Sequence, residues 1–224
     1  LIKQVPDTVT RIQDRVKGGT VDLDGVTMVV NPYDEYAVEE ALRLREKHGG
    51  LVTLVALGPD RVQSALKDML ALGADEAIQL WDPAFADIGA AGVAAALAAA
   101  IRRIPHDMVW AGWKGVDDDQ GVVPIHVAHQ LGYPHASYVS SFEVGEGHAR
   151  VVSEVEGGKE TLQVRLPAVF TAQKGLNEVR YASLKGIMAV KRKVIPVWGC
   201  ADIGLDPASL PPRLVRTNTI ERPP

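Results

Sequence analysis

The sequence predicts an α/β protein: a parallel sheet with helices on both faces, an antiparallel β extension, and an extended C-terminal arm. Three observations carry this expectation. Short β-rich apolar runs alternate with helical patterns through the first 135 residues, which is the pattern of β-α-β units. Runs of strand character then follow one another through 136–172 with no helical pattern between them. From Leu205 onward prolines and sparse apolar content point to an extended segment.

LIKQV, LVTLVAL, AIQLW and MVWAGW are the candidate parallel strands. Between the first two, residues 36–47 place Ala37, Ala41 and Leu44 on one helical face and set Glu39 one turn before Arg43, the spacing of an ion pair. Residues 60–72 repeat the pattern through Val62, Leu66 and Met69 after a Gly58-Pro59 turn, and Gly73 stands where a helix stop belongs. The alanine-rich run 88–101 is 14 residues long and ends at Arg102-Arg103; it falls short of the roughly 20 that span a bilayer, so it reads as a buried helix. A further helix is expected from Asp118 through Ile125, Ala128 and Leu131. ASYVSSFEV, ARVVSEVE, ETLQVRL and AVFTAQ then read as strands, with hairpin breaks at Gly145-Glu146-Gly147 and Gly157-Gly158.

With 224 residues, 46% hydrophobic and 23% charged, the chain can bury the core of one large domain. A net charge of -4 gives no reason to expect nucleic acid as a partner. The single cysteine, Cys200, excludes an internal disulfide and a cysteine-rich zinc site and fits a reducing compartment. No basic, apolar, small-residue leader opens the chain; it begins inside strand-like LIKQV, so residues ahead of Leu1 are expected.

Absent motifs narrow the chemistry further. There is no G-x-G-x-x-G after a strand and no G-x-x-x-x-G-K-[ST] loop, which argues against dinucleotide dehydrogenases and P-loop NTPases. No G-x-S-x-G places a nucleophilic serine. His126 and His129 share a helix face but lack a third ligand at a supporting spacing, so no metal is expected there. Cys200, in WGCAD, has no evident base and reads as structural.

The stretch KGVDDDQGVVP, residues 114–124, stands at a strand-to-helix crossover, where open α/β sheets bind ligands. Three readings are open. Asp117, Asp118 or Asp119 caps the helix and favours its positive end. The run holds a metal, although consecutive residues do not aim all their side chains at one point. Or the backbone N–H groups of Gly121, Val122 and Val123 hold a phosphate, which requires the carboxylates to point away from it.

Four blocks, in order, are NPYDEYAVEEALRL at 31–44, ALGADEAI at 71–78, GWKGVDDD at 112–119 and LNEVRYASLKGIM at 176–188. Together they resemble the beta subunit of electron-transfer flavoproteins, over roughly residues 1–196. The resemblance implies a Rossmann-like nucleotide-binding domain over 1–196, with its antiparallel part at 136–172, and an arm over 197–224 that reaches towards a partner subunit. It implies a heterodimer whose alpha subunit holds most of an FAD site, while the beta subunit binds one AMP and catalyses nothing alone. It also implies electrons received from acyl-CoA dehydrogenases, as in fatty acid oxidation, or from similar flavoenzymes, and passed to a membrane quinone oxidoreductase or another acceptor. The setting would be bacterial cytoplasm, or the mitochondrial matrix in a eukaryote, with the subunit itself not embedded in a membrane.

By motif position, the implied AMP pocket uses Asn31 with Pro32, Tyr33 and Asp34, then Leu57 at a strand end, and the loop 112–123. That loop contributes Gly112, Lys114, Val116, Asp118, Asp119, Gly121, Val122 and Val123. Tyr33 and Thr8 fall on flavin-facing positions, Thr8 where the family often has an aromatic residue. Glu154 matches an acidic residue that pairs across the subunit boundary. The segment 181–188 resembles the family's docking loop, with Leu184 as anchor beside Tyr181, Ile187 and Met188; a short core helix with Leu184, Ile187 and Met188 on its buried face is the other reading. Lys191-Arg192-Lys193 could steer an acidic partner face. Electron-bifurcating relatives put a second FAD in place of AMP and tend to have glycine at the middle aspartate, so the bulk and charge of Asp118 favour AMP. Outside the redox class, the alternatives are a stand-alone adenine-nucleotide sensor and an ATP-consuming ligase, which would need a serine-glycine loop where VPDT stands.

Overall fold

A computed structural model describes residues 1–10, 15–17 and 20–211. In chain order the elements are β1 (Gln4–Pro6), the small hairpin β2 (Val16–Lys17) and β3 (Thr20–Val21), then β4 (Met28–Val30) and α1 (Pro32–His48). They continue as β5 (Thr53–Leu57), α2 (Val62–Leu72), β6 (Glu76–Leu80), α3 (Ala90–Ile101), β7 (Met108–Gly112) and α4 (Val123–Leu131). The last part is β8 (His135–Gly145), β9 (His148–Val155), β10 (Gly158–Arg165), β11 (Ala168–Ala172), α5 (Leu184–Val190), β12 (Val197–Trp198) and α6 (Cys200–Ile203).

One half of the sheet runs β12-β6-β5, all parallel. The other runs β7-β11-β8-β9-β10, parallel as far as β8 and antiparallel beyond it. The first strand bridges them: Ile2 pairs with Ala56 in parallel, and the Leu1 nitrogen donates to the Trp110 carbonyl at 2.6 Å. From that strand the chain builds outward to β5 and β6 on one side, then returns to β7 and β11 on the other. The change of direction falls between residues 1–3, just ahead of β1, and the C-terminal end of β7, the crevice position where open α/β sheets bind ligands.

Each face of the sheet is covered for a readable reason. α1 and α2 bring Val38, Leu42, Leu66 and Met69 against Leu54 and Ala77. On the opposite face α3 packs with Leu97 and Ile101 near Leu80, Val127 and Val169, and its fully buried Ala94, Ala96, Ala98 and Ala100 keep it slim enough to lie close to its neighbours. Trp110, Phe142 and Phe170 form a third apolar group, their ring centroids 4.9 to 5.1 Å apart.

The fold class and the alternation of elements are as the sequence predicts, with four differences. α1 begins at Pro32 rather than near residue 36, because proline with its fixed φ suits the first helical turn. The helix expected from Asp118 starts at Val123, since Asp119 and Gly121 sit at φ 53° and 63°, outside helical space; Val122 is its N-cap and no aspartate caps it. The AVFTA strand is not a rung of the antiparallel extension, because β11 inserts between β7 and β8 and runs parallel to both.

The fourth difference concerns the arm expected over 197–224. β12 adds to the edge of β6, and α6 buries Cys200 and Ile203 in the core beneath α3. The chain therefore stays in the α/β unit past residue 200, in a strand too short to show a periodicity. Pro207–Ser209 forms a 3-10 turn capped by the Asp206 side chain. The rest of the expected arm, 212–224, lies outside the described residues.

Candidate functional site

The crevice is organised by the NPYD block at the start of α1. Asp34 is buried and accepts from the Lys3 amide at 2.6 Å, the Gly112 amide at 2.8 Å and the Asn31 side chain at 3.1 Å. It thus ties together β1, β7 and α1. Burial pushes the Asp34 carboxyl up, against the pull of these donors. Asn31, 1% exposed, spends its amide on the loop: Nδ2 donates to the Lys114 carbonyl at 2.8 Å and Oδ1 accepts from the Val116 amide at 3.2 Å. Both side chains shape the crossover loop from beneath. Gly112 is required by the close approach, because a Cβ there would lie 2.5 Å from Asp34 Oδ1 and 2.6 Å from Tyr33 Cβ.

The three aspartates answer to two lysines. Lys3 Nζ lies 2.7 Å from Asp117 Oδ1 and 2.9 Å from Asp118 Oδ2, and Lys114 Nζ lies 2.8 Å from Asp119 Oδ1. Burial would lower the Lys3 ammonium, but its bonds to Asp117 and Asp118 outweigh that and hold its pKa above the ordinary value. Lys114 also stands over the Trp113 ring, 4.5 Å from its centroid. No aspartate side chain caps α4, and among the described residues no three His, Cys, Asp or Glu side chains converge to hold a metal ion. The loop spends the amides of Gly112, Trp113, Val116, Asp119 and Gln120 internally. Those of Gly121, Val122 and Val123, at the start of α4, have no acceptor among the described residues. Val123 opens the nine-residue α4, Val122 is its N-cap and Gly121 precedes it; unpaired N–H groups at a helix N-terminus are the kind of donor that suits an anion.

The other expected residues fall in several places. Leu57 ends β5, and the next residue, Gly58, donates to the Leu80 carbonyl at 3.0 Å. Half-buried Tyr33 meets Trp113 edge-on at 5.3 Å, and Trp113 meets Tyr138 at 4.8 Å, so an aromatic wall stands beside the loop. Its members suit a flat ring system, and the Trp113 Nε1 is buried without a partner. Thr8 is exposed after β1, next to Val9. Glu154 lies on β9 opposite Lys159, 4.0 Å from its Nζ and solvent-exposed. The His126–His129 pair is exposed on α4. Cys200 is buried, and burial together with Asp82 pushes its thiol up to about 11; it is structural.

At the opposite flank of α1, residues 176–183 form a strap leading into α5. Tyr181, Leu184 and Met188 are 97%, 82% and 68% exposed, and Ile187 is also exposed. No residue of α5 is buried, which overturns the core-helix alternative. The helix is capped by Ser183, whose hydroxyl accepts from the Gly186 amide at 3.0 Å. Gly186 seats it on α2, where a Cβ would come within 2.3 Å of the Ala71 carbonyl oxygen. Lys191, Arg192 and Lys193 are exposed, and Lys193 donates to the Asp75 carbonyl at 2.6 Å.

Sequence reasoning missed two contributors. Lys3 carries the charge that organises the aspartates; a lysine inside the strand run LIKQV, next to the crevice, was the available signal. Arg180 holds the strap to α1 by donating to Glu39 and Glu46. Its only trace was the joint presence of an E-E pair and an arginine in two blocks far apart in sequence.

Fold and loop define an α/β protein with a structured crossover loop at the switch point of its sheet. A profile of the electron transfer flavoprotein domain matches residues 18–203. The electron transfer flavoprotein subunit beta of Thermoanaerobacterium thermosaccharolyticum is 40% identical over 227 residues, covering 98% of this chain and 86% of that protein. That of Clostridium acetobutylicum is 38% identical over 209 residues, covering 93% and 80%. The caffeyl-CoA reductase-Etf complex subunit CarD of Acetobacterium woodii is 37% identical over 207 residues, covering 92% and 79%. The chain belongs to the electron transfer flavoprotein family, among its beta subunits. No helix among the described residues is long and apolar enough to cross a membrane.

Proposed function

We propose that this chain is the beta subunit of a heterodimeric carrier, that it binds one AMP at the crossover loop, and that an alpha subunit holds most of the FAD. The observation that carries the reading is the trio of free amides at Gly121, Val122 and Val123, beside aspartates already turned onto Lys3 and Lys114. A phosphate there meets N–H donors and the positive end of α4 instead of bare carboxylates. Asn31 and Asp34 act beneath the loop, holding its backbone in the receptive form.

Flavin, when bound, supplies the redox chemistry. Towards it this chain offers the aromatic wall of Tyr33, Trp113 and Tyr138, with the unpartnered Trp113 Nε1 among them. Thr8, on the exposed loop after β1, is the further flavin-facing residue of this reading. The chain performs no catalysis of its own. Glu154, exposed and only loosely held by Lys159, is free to pair with a cation of the alpha subunit; such exposed pairs contribute about 0 to 1 kcal/mol and set orientation more than affinity. Leu184 and Met188, with Tyr181 and Ile187, form the docking surface for acyl-CoA dehydrogenases or similar flavoenzymes, with a quinone oxidoreductase as one acceptor, in the bacterial cytoplasm. The bulk and charge of Asp118, which pairs with Lys3, favour AMP over a second FAD in this reading.

The test is to express the chain with and without the alpha subunit, denature each preparation, and identify the released nucleotides by chromatography and absorbance. The expected result is one AMP per beta chain, with one FAD in the heterodimer only. Two FAD and no AMP would make the protein a bifurcating subunit, and AMP without any flavin-bearing partner would favour a nucleotide sensor.

A further inference from the structure

α1 carries two loads. Its first turn braces the crossover loop, while its flank holds the strap that leads into α5. Arg180 places Nε 2.8 Å and Nη2 3.1 Å from the two oxygens of Glu39, and its own amide donates to the same carboxylate at 3.2 Å. The guanidinium also reaches Glu46, with Nη2 3.1 Å from Oε2 and Nη1 on Oε1. Arg43 closes the group, donating to Glu39 at 2.7 Å and to the Glu178 carbonyl at 2.9 Å. Asn177 adds bonds of 3.0 Å each to the Tyr36 carbonyl and Glu40.

Four of these contacts converge on Glu39, whose side chain is 2% exposed, yet the helix they lead into has no buried residue of its own. A helix of seven residues does not persist by its own propensity. Its direction comes from its cap, from the Gly186 seat, from the packing of half-buried Val190 on the core and from the strap. Apolar side chains on an untethered segment would pay the cost of ordering when they dock, and a fixed segment has paid it beforehand. A planar fork that serves two carboxylates fixes direction in a way that a lysine ammonium does not.

We propose that Arg180 is a positioning residue for partner docking: gripping Glu39 and Glu46, it fixes the direction in which α5 presents Leu184 and Met188 to an apolar pocket on the partner. The inference rests on the docking role proposed above. The clamp also joins that surface to the helix whose first turn holds the nucleotide loop, so the two sites share one rigid mount.

The experiment uses Glu39→Gln/Arg180→Gln, which leaves no buried carboxylate short of a partner, and Glu46→Gln, a milder change at an exposed residue. Amide hydrogen exchange is followed on the full chain. In the heterodimer, kcat and KM are measured with a purified acyl-CoA dehydrogenase as the docking probe. For the double variant, exchange across 184–190 is expected to rise about tenfold, with α1 and α2 amides and bound nucleotide unchanged. KM for the carrier is expected to rise about tenfold at constant kcat, with Glu46→Gln between the two. Parent-level exchange and KM would overturn the proposal, as would faster exchange spread evenly over the fold. Leu184→Ala separates the two readings: if its KM is unchanged, the docking surface lies elsewhere, and the exchange result alone decides whether the clamp orders α5.

Discussion

Replacing Lys3 with methionine tests how the crossover loop keeps three aspartates beside the proposed phosphate site. The stability cost is small, because the pairs are half-exposed: side-chain exposure is 42% for Lys3, 28% for Asp117 and 40% for Asp118. Two such pairs contribute about 0.2 to 1 kcal/mol each, so unfolding free energy should fall by no more than about 2 kcal/mol. The effect on nucleotide affinity has a different origin. Lys3, Asp117 and Asp118 sum to one net negative charge (+1 - 2 = -1), and Lys3→Met makes that two (0 - 2 = -2). A unit charge about 6 Å from a phosphate is worth roughly 3 kcal/mol at an effective dielectric near 20. Salt screening over about 8 Å brings this down to about 1 kcal/mol, a five- to tenfold loss of AMP affinity. Titration calorimetry of the nucleotide-free chain reads it directly. Lys3→Met/Asp118→Asn restores the net charge to -1 (0 - 1 = -1) and should recover most of the affinity. An unchanged Kd in the single variant, or no recovery in the double, would refute the reasoning.

Two further outcomes are expected. Leu184→Ala should weaken docking to a donor flavoenzyme by about 1 to 2 kcal/mol with an unchanged melting temperature, since Leu184 is 82% exposed; lost folding with intact docking would contradict the surface reading. Acid unfolding should report Glu39: burial alone would raise its carboxyl, but Arg180 and Arg43 outweigh that and hold it below the ordinary value of 4.5. A depressed carboxyl contributes stability above its unfolded pKa and loses it as pH falls through the folded one. Urea midpoints should therefore drop below pH 4.5 in the parent and less steeply in Glu39→Gln/Arg180→Gln.

The layers of the fold were legible because they rest on periodicity. Val62, Leu66 and Met69 face the core at the spacing that predicts a helix, and the hairpins of β8, β9 and β10 fall at their glycines. Boundaries set by single residues were less legible. DDDQG reads as a helix start because aspartate favours N-caps, yet Asp119 and Gly121 adopt left-handed φ, and the carboxylates have better partners in lysines that lie far off in sequence or across the loop. β12 was invisible for another reason: two residues carry no period, and Val197–Trp198 becomes a strand only because β6 offers a free parallel edge. The place of β11 between β7 and β8 is likewise a tertiary fact, since AVFTA is buried throughout and looks the same in either pairing.

The two most specific sequence blocks proved to be one structural unit, and this explains why they occur together. NPYDEYAVEEALRL supplies Asn31 and Asp34 to the crossover loop and Glu39 and Glu40 to the strap, while LNEVRY returns Asn177 and Arg180 to those glutamates across more than a hundred residues of chain. A buried carboxylate such as Glu39 is costly without a cation and cannot relax into water, so glutamate and arginine are constrained as a pair and neither substitutes alone. The aspartate run follows the opposite logic. Its carboxylates are exposed and their lysine pairs are individually weak; in the proposed reading their value lies in drawing negative charge away from the amides of Gly121, Val122 and Val123. The clamp is therefore a matter of position, which a neutral isosteric pair would loosen, whereas the crossover loop is a matter of charge balance, which compensating substitutions can restore.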